Sequence, residues 1–327
     1  MFCNVILVNW NRAIDTCSCI DSLEQTVGVK WYAIICENGS SDNSNIELRR
    51  FLAERYIERI RVNTELDIFD YFNANDLNVP PRVTLALSPS NLGFAGGCNF
   101  ACRHAFPSKE ADYVWFLNND TEVEPDTLYR IIERISQDPS IGVCGCTVIY
   151  AHDKKTVQVC GGATYQPWTG IIREIGRGKT WPFKVDVSEV EARMSYVYGA
   201  SMLVTSECFR QVAPMCEDYF LYYEEIDWAE RARRAGFRLG YAPLALVYHK
   251  EGSALGSGKS ASRSMLSEYY GISGRLIVTR RYFSWALPSV YLFSLLQILR
   301  RCLQGYWPRA RMMAAVLFGL RRTPPEG

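Results

Sequence analysis

The stretch FLNNDTE, residues 116–122, joins an apolar run to five consecutive polar side chains. The run that leads into it, Tyr113–Leu117, is aromatic and aliphatic throughout and predicts a strand buried on both faces. Strands often end in turns marked by glycine or proline, and neither follows here. A cluster of amides and carboxylates at the end of a buried strand therefore suggests a binding site.

Three similar apolar runs precede this strand, at residues 5–8, 32–36 and 83–87. Helices are predicted between the runs, at residues 13–25, 43–55 and 96–105. Short apolar strands that alternate with helices predict an α/β fold with a mostly parallel, doubly wound sheet. Ligands of such sheets bind in the crevice beyond the carboxyl ends of the strands.

Each of the four predicted strands runs into a polar cluster. The carboxyl ends of parallel strands share one edge of the sheet, so the clusters together predict a site the size of a nucleotide. The candidate contacts are Asn9, Asn11, Arg12, Glu37, Asn38, Asp42, Asn91, Asn118 and Asn119. For any single cluster, turn formation and helix capping are the alternative, since both use the same residue types.

A second segment, NLGFAGGCN at residues 91–99, is similar to a glycine-rich phosphate loop. Its spacing matches neither the dinucleotide fingerprint nor the P-loop. Gly96 and Gly97 would let the backbone pass close to a ligand, and Asn99 could reach a sugar or a phosphate. A tight turn from strand to helix needs similar glycines, so both interpretations stand.

Asp120 is the candidate ligand of a divalent cation. Mg²⁺ and Mn²⁺ prefer oxygen ligands and are commonly held by one or two carboxylates together with substrate phosphates. The residue two positions earlier is Asn118, so the segment supplies a single carboxylate. Binding of the cation is then expected to depend largely on a diphosphate ligand.

Three acids lie close together in FLYYEEIDWAERARRAG, which begins at residue 220 and predicts a helix ending before Gly236. Glu224 and Asp227 share one helical face, and Asp227 is one turn from Arg231. Glu225 points about 100° away from Glu224. Acids in a first turn also favour the helix dipole, which is the structural alternative. The surrounding aromatic side chains favour an apolar wall, in which a carboxylate can act as a general base.

His249 is one of three histidines and closes a predicted buried strand at residues 244–248. A single histidine at a strand end is more often structural. The loop that follows carries Lys250, Lys259 and Arg263, which favours a contact with a metal or a phosphate.

Composition excludes several classes of protein. The 327 residues include 36 basic and 35 acidic ones, a net charge of +1, so no nucleic-acid partner is predicted. The twelve cysteines have no zinc-knuckle spacing and are expected to be reduced core residues. The first residues have no basic segment before their apolar run, which predicts a cytoplasmic protein rather than a secreted one.

The C-terminal part is predicted to be helical and basic. Residues 287–299 are apolar but, with Ser294 and Gln297 among them, too short and interrupted to span a bilayer. Arginines surround this run, at positions 300, 301, 309, 311, 321 and 322. The pattern suits an amphipathic helix on the cytoplasmic face of an anionic membrane, a peripheral contact. A helical cap over the catalytic part and a dimer contact are the alternatives.

Taken in order, these motifs resemble those of the family 2 glycosyltransferases of the GT-A fold, especially bacterial rhamnosyltransferase-like members. The matching stretches are VNWN (8–11), ENGSSD (37–42), NLGFAGGCN (91–99), LNND (117–120), YGASMLV (198–204), YFLYYEEIDWAERARRAGF (219–237) and VYHKEG (247–252). Residues 63–81, between the second and third motifs, resemble an insertion.

The resemblance implies an inverting, metal-dependent transfer of a sugar, rhamnose among the candidates, from a nucleoside diphosphate donor. The acceptor would be a glycan or a lipid-linked saccharide in the synthesis of cell-surface polysaccharide. Glu37 would read the base of the donor, Asp120 and His249 would bind Mg²⁺ or Mn²⁺, and Glu225 would be the general base, with Glu224 and Asp227 beside it.

The same resemblance divides the chain into three segments. Residues 1–122 would bind the nucleotide sugar, 123–270 would hold the acceptor and the catalytic acids, and 271–327 would form C-terminal helices that associate with a membrane. Two other classes of function stay open. A nucleotidyltransferase would normally carry a basic glycine-rich loop near the N-terminus, where residues 5–12 have none. A saccharide- or nucleotide-binding protein without turnover is the second alternative.

Overall fold

The structure is a computed structural model that describes residues 1–60, 67–73, 81–105, 111–250, 265–321 and 323–325. Most of the predicted insertion at 63–81 and the loop with Lys259 and Arg263 lie outside the described residues. The described strands are β1 (Phe2–Asn9), β2 (Lys30–Glu37), β3 (Ile57–Ile60), β4 (Ile68–Phe72), β5 (Val83–Leu87), β6 (Tyr113–Leu117), β7 (Thr121–Val123), β8 (Ile141–Tyr150), β9 (Val157–Cys160), β10 (Gly162–Gln166), β11 (Ile171–Glu174), β12 (Tyr196–Val197), β13 (Ser201–Thr205) and β14 (Arg238–His249).

Helices connect these strands and follow the last of them. They are α1 (Ala13–Leu23), α2 (Ser44–Ala53), α3 (Gly93–His104), α4 (Thr127–Gln137), α5 (Val187–Arg193), α6 (Ser206–Val212), α7 (Glu224–Arg234), α8 (Met265–Tyr282), α9 (Leu287–Leu303) and α10 (Trp307–Leu317). The predicted strands of the first half are present as β1, β2, β5 and β6, and the predicted helices between them as α1, α2 and α3.

The four strands β5, β2, β1 and β6 lie side by side and are parallel, so their carboxyl ends meet at one edge. The fold class is confirmed as α/β with a large central sheet. The second half of the chain adds strands of both directions, which makes the complete sheet mixed. Its order is β3-β4-β5-β2-β1-β6-β13-β8-β14-β7, with β9 paired to β8. The described part of the predicted insertion, β4, extends the sheet antiparallel to β5.

Two apolar layers cover the faces of this sheet. One contains Cys19 of α1, Leu48 of α2 and Ile131 of α4. The other contains Cys98 of α3 and Trp228 of α7. Helices on both faces are what a doubly wound sheet requires, because both faces are apolar. All twelve cysteines are free and most are buried, as the sequence predicted.

The last three helices form a small core of their own with Leu276, Val290 and Met313 in its centre. Glu268 of α8, almost fully buried, pairs there with Arg301 and Arg309. The predicted segment boundary at residue 270 falls inside α8, so the C-terminal helices begin earlier than predicted.

The apolar segment of α9 is longer than its sequence suggested. Together with the preceding single turn of 3-10 helix it runs over residues 284–303, which is 20 residues. By length and composition alone, that is enough to cross a membrane, and the prediction that the segment is too short needs this correction. Many helices that do not cross a membrane are equally long and apolar.

Candidate active site

The ends of β1 and β6 are joined through polar side chains. The Thr16 hydroxyl, on α1, donates to Asn9 Oδ1 at 2.8 Å, and Asn119 Nδ2 donates to the same hydroxyl oxygen at 2.9 Å. Asn9 is fully buried. The structure thus brings Asn9 and Asn119 together, and each has partners inside the protein.

The loops after β1 and β2 brace each other beside these amides. The main-chain N–H of Asn11 donates to Ser40 Oγ at 2.9 Å, and that of Ser41 donates to Asn11 Oδ1 at 2.8 Å. Asn11 has a left-handed backbone with φ of 55°, which asparagine tolerates better than most residues. Glu37, the last residue of β2, is buried and accepts from the Ser40 N–H at 3.1 Å. These contacts fix the Glu37 carboxylate at the sheet edge.

Two basic side chains lie beside a buried acid near the carboxyl ends of the strands. Asp15, in the first turn of α1, is 2.7 Å from Lys250 Nζ and 3.8 Å from Arg12 Nη1. The Arg12 side chain is 43% exposed, so it is accessible to an anionic ligand. Asp42 is exposed, and its side chain accepts from the Ser44 N–H, two residues further on at the start of α2, at 2.9 Å.

Asn38 and Asn91 form hydrogen bonds that hold the loops after β2 and β5. Asn38 Nδ2 donates to Asn91 Oδ1 at 3.1 Å, and Asn38 Oδ1 accepts from the Leu92 N–H at 2.9 Å. Asn91 Oδ1 also accepts from the Gly93 N–H at 2.9 Å. These bonds set the conformation of the chain at the entry into α3.

The predicted ligand contacts of Gly97 and Asn99 need correction. A Cβ on Gly97 would lie 2.8 Å from Val8 Cγ1, so this glycine allows α3 to pack closely on β1. Asn99 is buried, with Nδ2 donating to Met215 O at 2.9 Å and Oδ1 accepting from the Met215 N–H at 2.8 Å. Its second amide hydrogen is taken by Glu217. Both residues stabilise the fold, and we leave them out of the ligand site.

Asp120 and His249 form a buried pair at the end of β6. Asp120 Oδ1 lies 3.1 Å from His249 Nε2, and the two side chains are 10% and 6% exposed. The pairing of β7 with β14 delivers His249 to this position, since His249 is in register with Thr121. Asn118 lies beside the pair, with Nδ2 at 3.4 Å from His249 Nε2.

This pair fits a divalent cation. Two donor atoms on neighbouring corners of an octahedron with bonds of ~2.1 Å are about 3 Å apart, which matches the separation of Oδ1 and Nε2. Oxygen and imidazole nitrogen are both ligands of Mn²⁺ and related metals. Within the described ranges, no three His, Cys, Asp or Glu side chains are grouped so that they could hold a metal together. Asp120 and His249 would therefore be the two ligands that the protein supplies.

Two residues that the sequence analysis did not assign complete this region. Gln158 Oε1 accepts from His249 Nδ1 at 2.8 Å, and Gln158 Nε2 donates to the Tyr198 hydroxyl at 2.9 Å. The available signal was a single polar residue within the apolar strand Val157–Cys160. That signal gave no indication of its partner, because Gln158 and His249 are 91 residues apart.

The candidate catalytic acids lie at the start of α7, which begins at Glu224 rather than near residue 220 as predicted. Tyr222 and Tyr223 stop the helix from starting earlier, since both have left-handed backbones, with φ of 68° and 75°. Such conformations cost about 1–3 kcal/mol each in residues other than glycine. The surroundings hold them: the Tyr222 hydroxyl is 3.1 Å from Ser267 Oγ, and a Cβ on Gly274 would clash with the Tyr223 ring.

Glu224 and Glu225 experience different surroundings within this turn. Glu224 is buried, its Oε2 has no hydrogen-bond partner, and burial with the neighbouring Glu225 charge raises its pKa well above the usual value. Glu225 is partly exposed, and desolvation raises its pKa to about 7. A carboxylate with a pKa near neutrality can both accept and release a proton, which a general base must do.

Glu225 is connected to the Asp120–His249 pair through one short turn, residues 198–200. A Cβ on Gly199 would collide with Glu225 Oε1, so the carboxylate lies directly against this glycine. Ala200 O accepts from the Asn118 N–H at 3.0 Å, at the end of β6. The Asp120–His249 pair and the candidate base, Glu225, therefore border the same turn.

Asp227 has a structural function. Its side chain is fully buried, with Oδ1 at 2.7 Å from Arg231 Nε and Oδ2 at 2.9 Å from Arg281 Nη1. The Tyr282 hydroxyl also donates to Oδ2, at 2.7 Å. Asp227 thus connects α7 to α8, and its oxygens are engaged in these bonds.

We expect Asp227→Asn to lower the free energy of unfolding by about 2–3 kcal/mol, because hydrogen bonds to charged groups contribute roughly 1.5–3 kcal/mol. Donor affinity should change little. Chemical denaturation measures the loss. Asp218→Asn is the control, since Asp218 binds the same Arg281 but is 63% exposed, and exposed pairs contribute about 0–1 kcal/mol. Equal stability of the two variants would contradict the structural assignment.

Part of the chain is similar in sequence to known glycosyltransferases. Residues 68–186 match the family model described as glycosyl transferase family 2. A hexosyltransferase of low-salt glycan biosynthesis from Haloferax volcanii, Agl10, is 25% identical over 165 residues, 50% of each chain. An N-acetylglucosaminyl-diphospho-decaprenol L-rhamnosyltransferase from Mycobacterium tuberculosis is 23% identical over 54% of this chain and 61% of its own. The matches thus cover about half of these relatives.

Solved structures share the fold. A Pyrobaculum calidifontis mannosyltransferase, solved in complex with GDP-Man and Mn²⁺, superposes with a TM-score of 0.54 at 14% identity. The superposition covers 96% of this chain and 84% of the mannosyltransferase. The structure of GalNAc-T7 with UDP, GalNAc and Mn²⁺ gives a TM-score of 0.57 at 11% identity, over 87% and 49%. At such identities the likeness concerns the fold alone. Residues 68–186 thus match the glycosyl transferase family 2 model, and the chain has the GT-A fold of these solved glycosyltransferases.

Proposed function

We propose that the chain is an inverting, metal-dependent glycosyltransferase that moves a sugar from a nucleoside diphosphate to a glycan or lipid-linked acceptor. The observation that carries this proposal is the turn at residues 198–200, which the Asp120–His249 pair and Glu225 both border. A cation site for the leaving diphosphate and a base with a pKa near 7 are the two groups that such a transfer needs.

The donor would lie along the carboxyl edge of β1, β2 and β6. Glu37, fixed by Ser40, is proposed to contact the base, and Arg12 at the rim the diphosphate. Asp120 and His249 would hold Mg²⁺ or Mn²⁺. The cation would neutralise the negative charge that develops on the leaving nucleoside diphosphate.

The acceptor step is assigned to Glu225. Its carboxylate takes the proton of an acceptor hydroxyl while the hydroxyl oxygen attacks the anomeric carbon. The bond between that carbon and the diphosphate oxygen breaks on the opposite side, and the electron pair leaves with the diphosphate. One displacement inverts the anomeric centre, and no covalent sugar–enzyme intermediate forms.

The acceptor class is supported by the relatives. The name of the mycobacterial relative specifies a saccharide on decaprenyl diphosphate and an L-rhamnosyl donor group. The name of the archaeal relative specifies hexosyl transfer in glycan biosynthesis. We therefore propose a hexose or rhamnose donor and a lipid-linked acceptor, within synthesis of a cell-surface polysaccharide at the cytoplasmic face of the membrane.

Thermal shifts with a panel of nucleotide sugars, each with Mg²⁺, Mn²⁺ or EDTA, test this proposal first. If the chain is a glycosyltransferase, nucleotide sugars of one class should raise its melting temperature, and this increase should require the cation. Release of free nucleoside diphosphate on addition of acceptors then distinguishes transfer from binding without turnover. Release of sugar 1-phosphate instead would indicate transfer of the nucleotidyl group, as in a nucleotidyltransferase.

The C-terminal helices are proposed to contact the membrane that presents the acceptor. Exposed leucines form one stripe on α9, with Leu296 and Leu299 at 55% and 54% exposure. The stripe consists of Leu292, Leu295, Leu296, Leu299 and Leu303. Its opposite face is covered by protein, because Val290 and Ser294 are buried. Exposed arginines nearby, such as Arg300 and Arg311, suit an anionic surface, so we propose that α9 lies on the bilayer.

Replacing Leu296 and Leu299 together with glutamate should reduce binding to anionic vesicles at least ~10-fold, since each buried leucine contributes about 1.5–3 kcal/mol. Sedimentation with phosphatidylglycerol vesicles measures this. Leu244→Glu is the control, because Leu244 is 59% exposed but belongs to β14. If the wild-type chain does not sediment with these vesicles, the membrane contact is wrong.

A further inference from the structure

Gln158 is a buried polar residue that the proposed transfer does not use directly. It is 1% exposed and lies on β9, which pairs antiparallel with β8. Both ends of its side-chain amide are occupied, by His249 Nδ1 at 2.8 Å and by the Tyr198 hydroxyl at 2.9 Å. A buried amide is costly unless hydrogen-bonded, so this orientation is well defined.

The contacts of His249 define which ring nitrogen carries the proton in the neutral imidazole. Gln158 Oε1 has no hydrogen and can only accept, so His249 Nδ1 must be the donor. Asn118 Nδ2 can only donate, and it lies 3.4 Å from His249 Nε2. These two amides therefore favour the tautomer with Nδ1–H, which leaves a lone pair on Nε2. The Asp120 carboxylate can only accept, so at 3.1 Å it requires a proton or a cation between itself and Nε2.

That lone pair is directed at Asp120. His249 Nε2 is 3.1 Å from Asp120 Oδ1, so in this tautomer the two facing atoms are both electron-pair donors. Such an arrangement suits a cation that both atoms bind. Histidine side chains that bind a metal through one ring nitrogen commonly donate the N–H of the other to a carbonyl or carboxylate oxygen, which fixes the orientation of the ring.

We propose that Gln158 is a positioning residue that selects the Nδ1–H tautomer of His249 and aims Nε2 into the cation site. The inference rests on the proposed function for the identity of the ligand, a divalent metal.

The scaffold around Gln158 explains why its amide stays in place. The Tyr198 N–H donates to Gly161 O at 3.1 Å, immediately after β9 ends. Gln158 and Tyr198 are thus held by neighbouring segments of main chain. Tyr198 is followed by Gly199, against which Glu225 packs. The Gln158 side chain therefore also connects the Asp120–His249 pair to the turn beside the candidate base.

Long-range ¹H–¹⁵N NMR of the histidine rings tests the tautomer with saturating Mg²⁺ and UDP, because without a cation the Asp120 carboxylate favours a proton on Nε2. The chain has three histidines, His104, His152 and His249, and His249→Asn assigns the third signal. We expect the neutral His249 ring of the wild-type chain to show the Nδ1–H pattern. In Gln158→Leu this pattern should be lost, and Gln158→Glu, which can still accept from Nδ1, should retain it.

Electron paramagnetic resonance of Mn²⁺, alone and with UDP, supplies the second readout. Affinity for Mn²⁺ should fall by ~10–100-fold in Gln158→Leu, the usual effect of losing a partner of a metal ligand. It should be within about threefold of wild type in Gln158→Glu, since the bond to Nδ1 is kept. Gln166→Leu, an exposed change on β10, is the control and should bind normally.

An Nε2–H pattern in a wild-type chain that binds Mn²⁺ would overturn the proposal, as would normal Mn²⁺ affinity in a folded Gln158→Leu variant. If that variant does not fold, the wild-type tautomer and Gln158→Glu still decide. A wild-type chain that binds no Mn²⁺, whatever its tautomer, would contradict the proposed metal dependence instead. The two failures are therefore distinguishable.

Discussion

Asp120→Ala is expected to abolish metal-dependent donor binding, with a loss of affinity of at least ~100-fold. The reason is that Asp120 supplies the carboxylate of a two-residue cation site, and His249 alone would leave a single ligand. Charge stabilisation by a bound cation is worth several kcal/mol, and ~2.7 kcal/mol already corresponds to 100-fold. Isothermal titration with the nucleotide sugar identified by thermal shift, with and without EDTA, measures the effect.

Asp112→Ala is the matched control for this variant. Asp112 directly precedes β6, at the opposite end of the strand that Asp120 follows, and its side chain is 55% exposed. Donor binding should be unchanged in the control. Normal affinity in Asp120→Ala that still responds to the metal would show that the cation, if one binds, is held elsewhere.

Glu225→Gln is expected to lower turnover by at least ~100-fold, the lower limit for loss of a general base, while donor and metal binding stay intact. The substitution is nearly isosteric, so the packing of the side chain against Gly199 should persist. Glu230→Gln, further along α7 and paired with Arg233, is the control and should turn over normally. Near-normal turnover in Glu225→Gln beside a well-folded but inactive Asp227→Asn would reverse the assignment of the base.

The pH dependence of the proposed transfer by the wild-type chain tests the same residue. Desolvation raises the pKa of Glu225 to about 7, so its proton is bound below that pH and released above it. A base acts when deprotonated, and turnover at saturating donor should therefore rise as the pH increases through about 7. This rise should be absent from the residual activity of Glu225→Gln. A flat profile in the wild type would argue against Glu225 as the base.

Much of the first half was predictable because its signals are local. Apolar runs such as Tyr113–Leu117 correspond to strands residue for residue, since a strand buried on both faces needs a continuous apolar sequence. The position of Asp120 at the sheet edge follows from the same pattern. Local sequence also indicated the Asp227–Arg231 pair, which is one helical turn apart.

Other features depend on contacts between distant segments and were not predictable. Asn99 looks like a ligand residue in its glycine-rich segment, but its amide is satisfied by Met215, 116 residues away. The start of α7 is set by the packing of Gly274 on Tyr223, which helix propensity does not reveal. Antiparallel strands such as β13 join the sheet through long-range pairing, so the alternation of strands and helices did not indicate them.

The most direct test of the proposed transfer is the configuration of its product. The wild-type chain would be incubated with the donor found by thermal shift and a panel of saccharides on isoprenoid diphosphates, with Mn²⁺ or with EDTA. Nuclear magnetic resonance of the product then gives the anomeric configuration of the new linkage. A single displacement assisted by Glu225 predicts cation-dependent transfer with an inverted anomeric centre, whereas retained configuration or equal transfer in EDTA would contradict it.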